Sequence, residues 1–171
     1  LLLILFSCHK NRETNKKIDF NLFEITVPNT WNKIDLQGID SYVGGFTTES
    51  GDTISFEYGK YTYDMDYALK VNDISEFKLL DSIGFDTDEL YFSEYPNIDE
   101  NQGTFHNEYY KYDTINNFVV KISIPKYKMS GTTGILFNEI TKGNDLYIHA
   151  NDLSEKEQKE LLNSFQTIKI T

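Results

Sequence analysis

The chain has 171 residues, a length that suits one domain. Its aromatic content of 15% excludes disorder throughout, because disordered chains are poor in aromatic residues and cannot bury a core. A formal net charge of −11 argues against nucleic acid as a partner, since binding to phosphates needs a basic surface. The single cysteine excludes a disulfide framework and a cysteine-rich zinc site.

The chain opens on six apolar residues, followed by Ser7, the only cysteine and a polar stretch that runs to residue 17. Six residues are too few to span a bilayer, which takes about 20, but they suit the end of a secretory signal. We interpret residues 1–17 as a truncated signal, an acylation site and a polar tether, and residues 18–171 as one globular domain. The first segment holds four basic residues and one acid, so the domain keeps 12 basic and 26 acidic residues, a net −14.

Residues Leu5, Phe6, Ser7 and Cys8 resemble the lipobox of bacterial lipoproteins. The resemblance implies that the sulfur of Cys8 is linked to diacylglycerol and that acyl chains bind the protein to a membrane. Several acyl chains give stable anchoring, at about 0.8 kcal/mol for each buried methylene. It also implies a location in the bacterial cell envelope, where His9 and Lys10 after the cysteine favour the side that faces the periplasm. The alternative is a buried first strand with a free cysteine in the core.

Alternating apolar and polar residues predict strands in the first part of the domain. Residues 22–27 alternate and end at Pro28, which breaks a strand. Residues 42–48 and 53–58 predict a hairpin around the turn at 49–52. The second strand of this hairpin places three polar residues opposite its apolar face, namely Thr53, Ser55 and Glu57.

The stretch from residue 60 to residue 103 gives weaker signals. Tyr67, Val71 and Ile74 have helical spacing, and Gly84 suits the residue that follows a helix. Residues 73–100 hold nine acids and one lysine, which favours an exposed connecting segment rather than a part of the core. One short helix in this stretch is therefore an open alternative.

Strands predominate in the second half. Residues 106–112 and 118–124 predict a hairpin, in which Lys121 and Ser123 lie opposite the apolar face. Residues 130–134 predict a loop, and the residues near 150 alternate so that Tyr147 and His149 share one face.

One helix has a clear start signal. Ser154 and Glu157 form a capping box, in which each side chain is expected to accept from the other residue's backbone N–H. Apolar residues at 161, 162 and 165 form its buried stripe, and residues 167–170 predict a final strand. The sequence thus predicts an α+β fold, with an antiparallel sheet of about seven strands covered by a C-terminal helix.

Three stretches together resemble the PsbP-type α/β/α sandwich found in small uncharacterised bacterial lipoproteins. They are FEITVPNTW at 23–31, GDTISFEYG at 51–59, and the segment from residue 126 to residue 170. The resemblance implies a fold and an envelope location. It implies no catalytic residues, because that group shares no active site, and likeness of fold is a weak warrant for function.

Two histidines are candidates for chemistry. His106 and His149 fall on predicted strands, and with a carboxylate such as Glu108 they could hold zinc or copper if their strands are neighbours. Histidines are common on the surfaces of strands, so we predict neither a metal nor a cofactor. A catalytic triad stays open, since triads are built in space and leave no fixed sequence pattern.

Three other motifs fail their patterns. The acids at 86–89 lack the ligand spacing of an EF-hand, and residues 131–134 lack the lysine and helix of a phosphate-binding loop. The S-x-x-K match at 75–78 lacks its companion motifs. We therefore predict no catalytic residue.

Two groups of tyrosines predict a ligand surface, because tyrosine suits interfaces with a peptide, a glycan or an envelope protein. Together with the histidines, this surface comprises Tyr58, Tyr61, Tyr63, Tyr109, Tyr110, His106 and His149. The favoured function is a lipid-anchored extracytoplasmic binding or accessory module without catalysis. The alternatives are a small envelope hydrolase with a His/carboxylate site, and a structural or immunity-type lipoprotein that a partner recognises.

Overall fold

The structure is a computed structural model that describes residues 15–60, 62, 69–71, 74–85, 90–92 and 107–171. This part of the chain forms twelve strands and two helices. The strands are β1 (Asn15–Asp19), β2 (Phe23–Pro28), β3 (Asn32–Asp35), β4 (Tyr42–Thr47), β5 (Thr53–Gly59), β6 (Leu69–Val71), β7 (Leu90–Phe92), β8 (Glu108–Ile115), β9 (Phe118–Pro125), β10 (Thr132–Thr141), β11 (Asn144–Asn151) and β12 (Lys169–Ile170). The helices are α1 (Ile74–Ser82) and α2 (Glu155–Phe165).

Seven strands form one antiparallel sheet in the order β3-β4-β5-β11-β10-β9-β8. Short turns join most neighbours. Asn116 and Asn117, with φ of 50° and 68°, form the turn between β8 and β9, and this pair of left-handed residues matches the twist of a two-residue hairpin. The pairing of β5 with β11 is the long-range step, because it joins the first half of the chain to the second.

The core lies on one side of this sheet, which we call the inner face. The three-stranded antiparallel sheet β1-β2-β12 and helix α2 contribute to the same buried cluster as the inner-face residues. Phe23 of β2 meets Phe56 of β5 edge to face at 5.1 Å, and Leu161 and Phe165 of α2 are fully buried. Such ring pairs contribute about 0.5–1.5 kcal/mol beyond the area that they bury.

Helix α2 begins as the sequence predicts, with one difference in its cap. The Ser154 hydroxyl accepts from the N–H of Glu157 at 3.3 Å, and it also donates to the Glu157 carboxylate at 2.7 Å. The carboxylate thus binds the serine side chain, where a standard capping box has it accept from the serine backbone. Its other oxygen reaches the turn between β4 and β5.

The predicted α+β class and its seven-stranded antiparallel sheet are confirmed. The short helix is present as α1, which contacts the parallel pair β6–β7. Gly84, at φ 79°, follows this helix as predicted. Val71 was predicted to be helical but lies in β6. The loop at 130–134 is shorter than predicted, because residues 132–134 pair with β11. Residues 15–17, predicted to belong to the tether, form part of β1 because they pair with β2.

Several predictions fall outside the described residues. These are the lipobox with Cys8, the histidine at 106, the tyrosines at 61 and 63, and the acidic stretch at 86–89. Among the residues that are described, no helix has the length and apolar character needed to cross a membrane.

Candidate functional site

A row of residues crosses the outer face of the seven-stranded sheet, opposite the core. Its members stand in register on β5, β11, β10, β9 and β8, in that order: Ser55, His149, Gly134, Ser123 and Tyr110. We call these residues the outer row. Directly opposite residues have Cβ atoms about 4.5–5.5 Å apart, so the row brings five separate strands into one surface.

Strand alternation turns these side chains outward. Ser55 stands between Ile54 and Phe56, which are both buried on the inner face. Because successive strand residues point to opposite faces, burial of the apolar neighbours forces Ser55 to the outer face. The same burial pattern holds on β11, β10 and β9, and on β8 the pairing of Tyr110 with Ser123 sets the face.

A second row lies beside the first and comprises Glu57, Tyr147, Leu136, Lys121 and Tyr112. We call it the flanking row. Leu136 and Tyr147 form a small buried cluster of their own, separate from the core, and Tyr110 packs against it. The outer face therefore combines apolar ring surface with polar groups.

His149 is held in place from two sides. Its Nε2 lies 3.2 Å from the Ser55 hydroxyl oxygen, and its ring stacks on Tyr147 with centroids 4.6 Å apart and planes 9° from parallel. Burial lowers the pKa of His149 below its ordinary 6.5, and the charge of Glu57 offsets only part of this effect. The imidazole is therefore mostly neutral at pH 7 and can both donate and accept a hydrogen bond.

Gly134 lets the Tyr147 ring lie flat against the sheet. A Cβ at this position would lie 3.0 Å from the Ser123 hydroxyl oxygen, 3.0 Å from Tyr147 Cε2 and 3.2 Å from the Tyr147 hydroxyl oxygen. Any side chain would therefore push the ring or the serine away. The glycine brings two hydroxyl groups together at the centre of the outer row.

Ser123 is the unusual residue of the row. Its side chain is 1% exposed, and its hydroxyl has no hydrogen-bond partner among the described residues. The indole N–H of Trp31 shares this property, but it lies in the core against Phe46. A buried polar group left without a partner costs about 1–3 kcal/mol, so native proteins keep few of them.

The β8 end of the face carries charge. The Lys121 ammonium lies 4.9 Å from the centroid of the Tyr110 ring, although only 9% of this lysine is exposed. The Tyr110 hydroxyl donates to Glu108 at 3.4 Å, and the same carboxylate accepts from the N–H of Thr132 at 2.7 Å. These contacts hold the tyrosine ring against the lysine.

The structure divides the predicted ligand surface. It brings Tyr110 and His149 together in the outer row, and it places Tyr58 and Tyr109 on the inner side of the sheet. Tyr58 packs against the core and its hydroxyl contacts Thr141, whereas Tyr109 is 65% exposed at the start of β8. Three strands separate the two, about 19 Å at the usual strand spacing. His106, Tyr61 and Tyr63 lie outside the described residues.

The residues at the centre of the row were not predicted as site residues. Ser55, Ser123 and Gly134 are small, and small polar residues are ordinary on the exposed face of a strand. The alternation did assign both serines to the face opposite the core. Their meeting with His149 depends on the order of the strands, which a local pattern does not report.

The described residues contain no metal site, and two clefts that they form lie away from the outer row. No group of three or more His, Cys, Asp or Glu side chains could hold a metal ion in this part of the chain. A cleft of about 430 Å³ lies at the start of α2, and another of about 390 Å³ lies between β2, the β8–β9 turn and the link from α2 to β12. Neither is lined by the outer row.

No family model matches the sequence, and no curated protein matches it either. The solution structure of cyanobacterial PsbP (CyanoP) from Synechocystis sp. PCC 6803 is similar to this structure over 95% of this chain and 96% of that one. The sequence identity is 9% and the TM-score is 0.43. At this level of similarity no residue, ligand or partner of cyanobacterial PsbP can be carried over to this chain.

Proposed function

We propose that the protein is a lipid-anchored extracytoplasmic binding or accessory module without catalysis of its own, and that it takes its ligand on the outer row. The observation that supports this is the buried Ser123 hydroxyl without a partner. Because this hydroxyl is closed off from solvent, a ligand hydroxyl or amide would pair with it only after a neighbouring side chain moved, and it would then remove the cost of leaving that group unpaired.

The chemistry of the two rows suits a neutral polar ligand. Neutral His149 and the row's two serine hydroxyls can each donate and accept, and the Tyr147 and Tyr110 rings supply apolar surface beside them. A peptide backbone or a sugar ring carries hydroxyl or amide groups next to apolar atoms. Both classes therefore match the row better than a compact ion does.

The binding proposal is tested by NMR titration of the chain with Cys8→Ser, which removes the acylation site. The probes are a chitin-type oligosaccharide and a short uncharged peptide, added separately. We expect the backbone signals of the outer row to shift with one of them, and Ser123→Ala to weaken binding while Ser130→Ala, at an exposed site, leaves it unchanged. Shifts spread elsewhere, or equal binding by both variants, would contradict the proposal.

The anchor is tested separately, on protein expressed from the full-length gene in bacterial cells. Acylation at Cys8 predicts that the protein enters the detergent phase, with an intact mass that matches a chain starting at Cys8 plus acyl groups. The Cys8→Ser variant should stay in the aqueous phase. A parent protein that stays aqueous with an unmodified cysteine rejects the anchor and leaves the outer-row proposal standing.

One observation favours a second candidate, a hydrolase. The 3.2 Å contact between Ser55 and neutral His149 matches a nucleophile beside its general base. A fluorophosphonate probe tests it, because an activated serine forms an oxygen–phosphorus bond, expels fluoride and passes its proton to the histidine. Labelling that requires both Ser55 and His149 would support the hydrolase, and no labelling would leave the binding module.

A further inference from the structure

Strand β8 lies at the end of the seven-stranded sheet. It spans eight residues, contains neither proline nor glycine, and pairs with β9 along its whole length. Within the described residues, no strand pairs with its other side. Long regular edge strands of this kind present free backbone groups to which another strand can add.

The direction of the free groups follows from two hydrogen bonds. The N–H of Thr114 donates to the Asp113 side chain, and the N–H of Lys126 donates to the carbonyl of Asn107 across the extension of the same ladder. Even-numbered residues of β8 therefore form its non-hydrogen-bonded pairs with β9, since the two kinds of pair alternate. Hence the N–H and C=O of Tyr112 point away from β9.

We propose that the partner of this edge is a second copy of the same chain, paired antiparallel through β8 about a two-fold axis at Tyr112. In this register Tyr112 of each copy faces Tyr112 of the other and the two exchange both backbone hydrogen bonds. Lys111 of each copy faces Asp113 of the other. The result is two opposite-charge pairs on one face and a tyrosine pair on the other.

Charge complementarity selects this register. With the axis at Tyr110, Lys111 would face Tyr109 and no charged pair would form. With the axis at Lys111, the free backbone groups would still meet, but the two lysines, which carry like charges, would face each other. With the axis at Thr114, Asp113 would face Ile115, and the central N–H is already occupied by Asp113.

The side chains of the proposed pairs are accessible. Tyr112 is 70% exposed, and Lys111 is exposed with no ion pair among the described residues. Asp113 is half-buried, and its carboxylate accepts from Thr114 and from Gln166 at 2.8 and 3.3 Å. A carboxylate has about four acceptor positions, so it retains capacity for a lysine.

An interface made by one strand is small, so association should be weak in solution. We expect a dissociation constant between about 10 µM and about 1 mM. Confinement of two copies to one membrane would raise their effective concentration and favour the dimer. The proposal does not depend on the ligand at the outer row.

Sedimentation equilibrium of the Cys8→Ser chain over this concentration range tests the proposal. Lys111→Glu and Asp113→Lys should each weaken association about tenfold or more, because each puts like charges at both pairs. An equimolar mixture of the two variants should associate again, since each copy then meets opposite charges on the other. Lys142→Glu, in the turn between β10 and β11, makes the same charge change away from the edge and should leave association unchanged.

A backbone variant covers the case in which a charge variant fails to fold. Tyr112→Pro removes an N–H that β9 does not use, so the sheet should persist while the dimer is lost. A parent chain that is monomeric throughout, or that associates equally well with Lys111→Glu, overturns the proposal. The proposal is also overturned if the NMR signals of β8 move only when an extended peptide of another protein is added.

Discussion

The carboxylate of Glu157 joins two parts of the chain that are far apart in sequence. It is 4% exposed, accepts from the Ser154 hydroxyl at 2.7 Å, and accepts from the N–H of Ser50 in the β4–β5 turn at 3.4 Å. The Ser50 hydroxyl makes a further close contact with the same carboxylate. This side chain therefore fixes the start of α2 to the end of the large sheet.

The magnitude of this link follows from the pKa of Glu157. Burial alone would raise it, but hydrogen bonds from Ser50, Thr48 and Ser154 together lower the pKa from 4.5 to about 2. By linkage, that difference corresponds to about 3 kcal/mol of folding stability. Because the folded-state pKa is the lower one, this contribution is present in full above pH 4.5 and is lost as the pH falls toward 2.

The perturbation is Glu157→Gln, which keeps the shape of the side chain and removes its charge. We expect the free energy of unfolding at pH 7 to fall by about 3 kcal/mol, and the difference from the parent to shrink as the pH is lowered from 4.5. Urea denaturation measures it, followed by the fluorescence of Trp31, which is the only tryptophan and is fully buried.

Glu155→Gln is the matched control. It removes the same charge from the first turn of the same helix, but Glu155 is exposed, and its one ion pair in the described part of the chain is with exposed Lys128. Such a pair contributes about 0–1 kcal/mol. If Glu157→Gln costs no more than this control, or if its cost is the same at pH 3 as at pH 7, the reasoning about the buried carboxylate is refuted.

Three further predictions concern the outer row, each measured by urea denaturation. Ser123→Ala should stabilise the protein by about 1 kcal/mol, because it removes a buried hydroxyl without a partner. The control, Ser130→Ala, should change the stability little. A loss of stability in Ser123→Ala would mean that the Ser123 hydroxyl has a hydrogen-bond partner. Gly134→Ala should destabilise it by about 1–3 kcal/mol, because the added carbon collides with the Tyr147 ring, and a neutral result would contradict that contact. Stability should fall as the pH drops below 6.5, because protonation of buried His149 is disfavoured in the folded state, and this part of the pH dependence should vanish in His149→Gln.

The outer row shows what kind of information a local pattern contains. Alternation assigned Ser55 and Ser123 to the face opposite the core, and both lie there. The same pattern said nothing of which strands are neighbours. As a result, the predicted ligand surface mixed Tyr110 and His149, which share the row, with Tyr58 and Tyr109, which lie on the other side of the sheet.

The start of α2 shows the same limit at a single residue. Ser154 and Glu157 predict the start of the helix from sequence, because the hydrogen bonds of an N-cap join residues within one turn. The second half of the glutamate's role depends on Ser50, whose turn is brought to the helix only when β5 pairs with β11. No spacing between residues 50 and 157 could report that contact.

The sequence did not predict the short strands β1, β3, β6 and β7. By itself it determined the composition class, the faces of the alternating strands, the start of the final helix and the α+β class. All of these follow from interactions within a few residues, which repeat with the period of a strand or a helix. Only the tertiary structure decided the strand order, the meeting of Ser55, His149 and Ser123, and the position of β8 at an edge. Those features arise from pairings between strands that are distant in sequence. Which strands pair depends on how all of them together bury one core, and no short stretch of sequence contains that information.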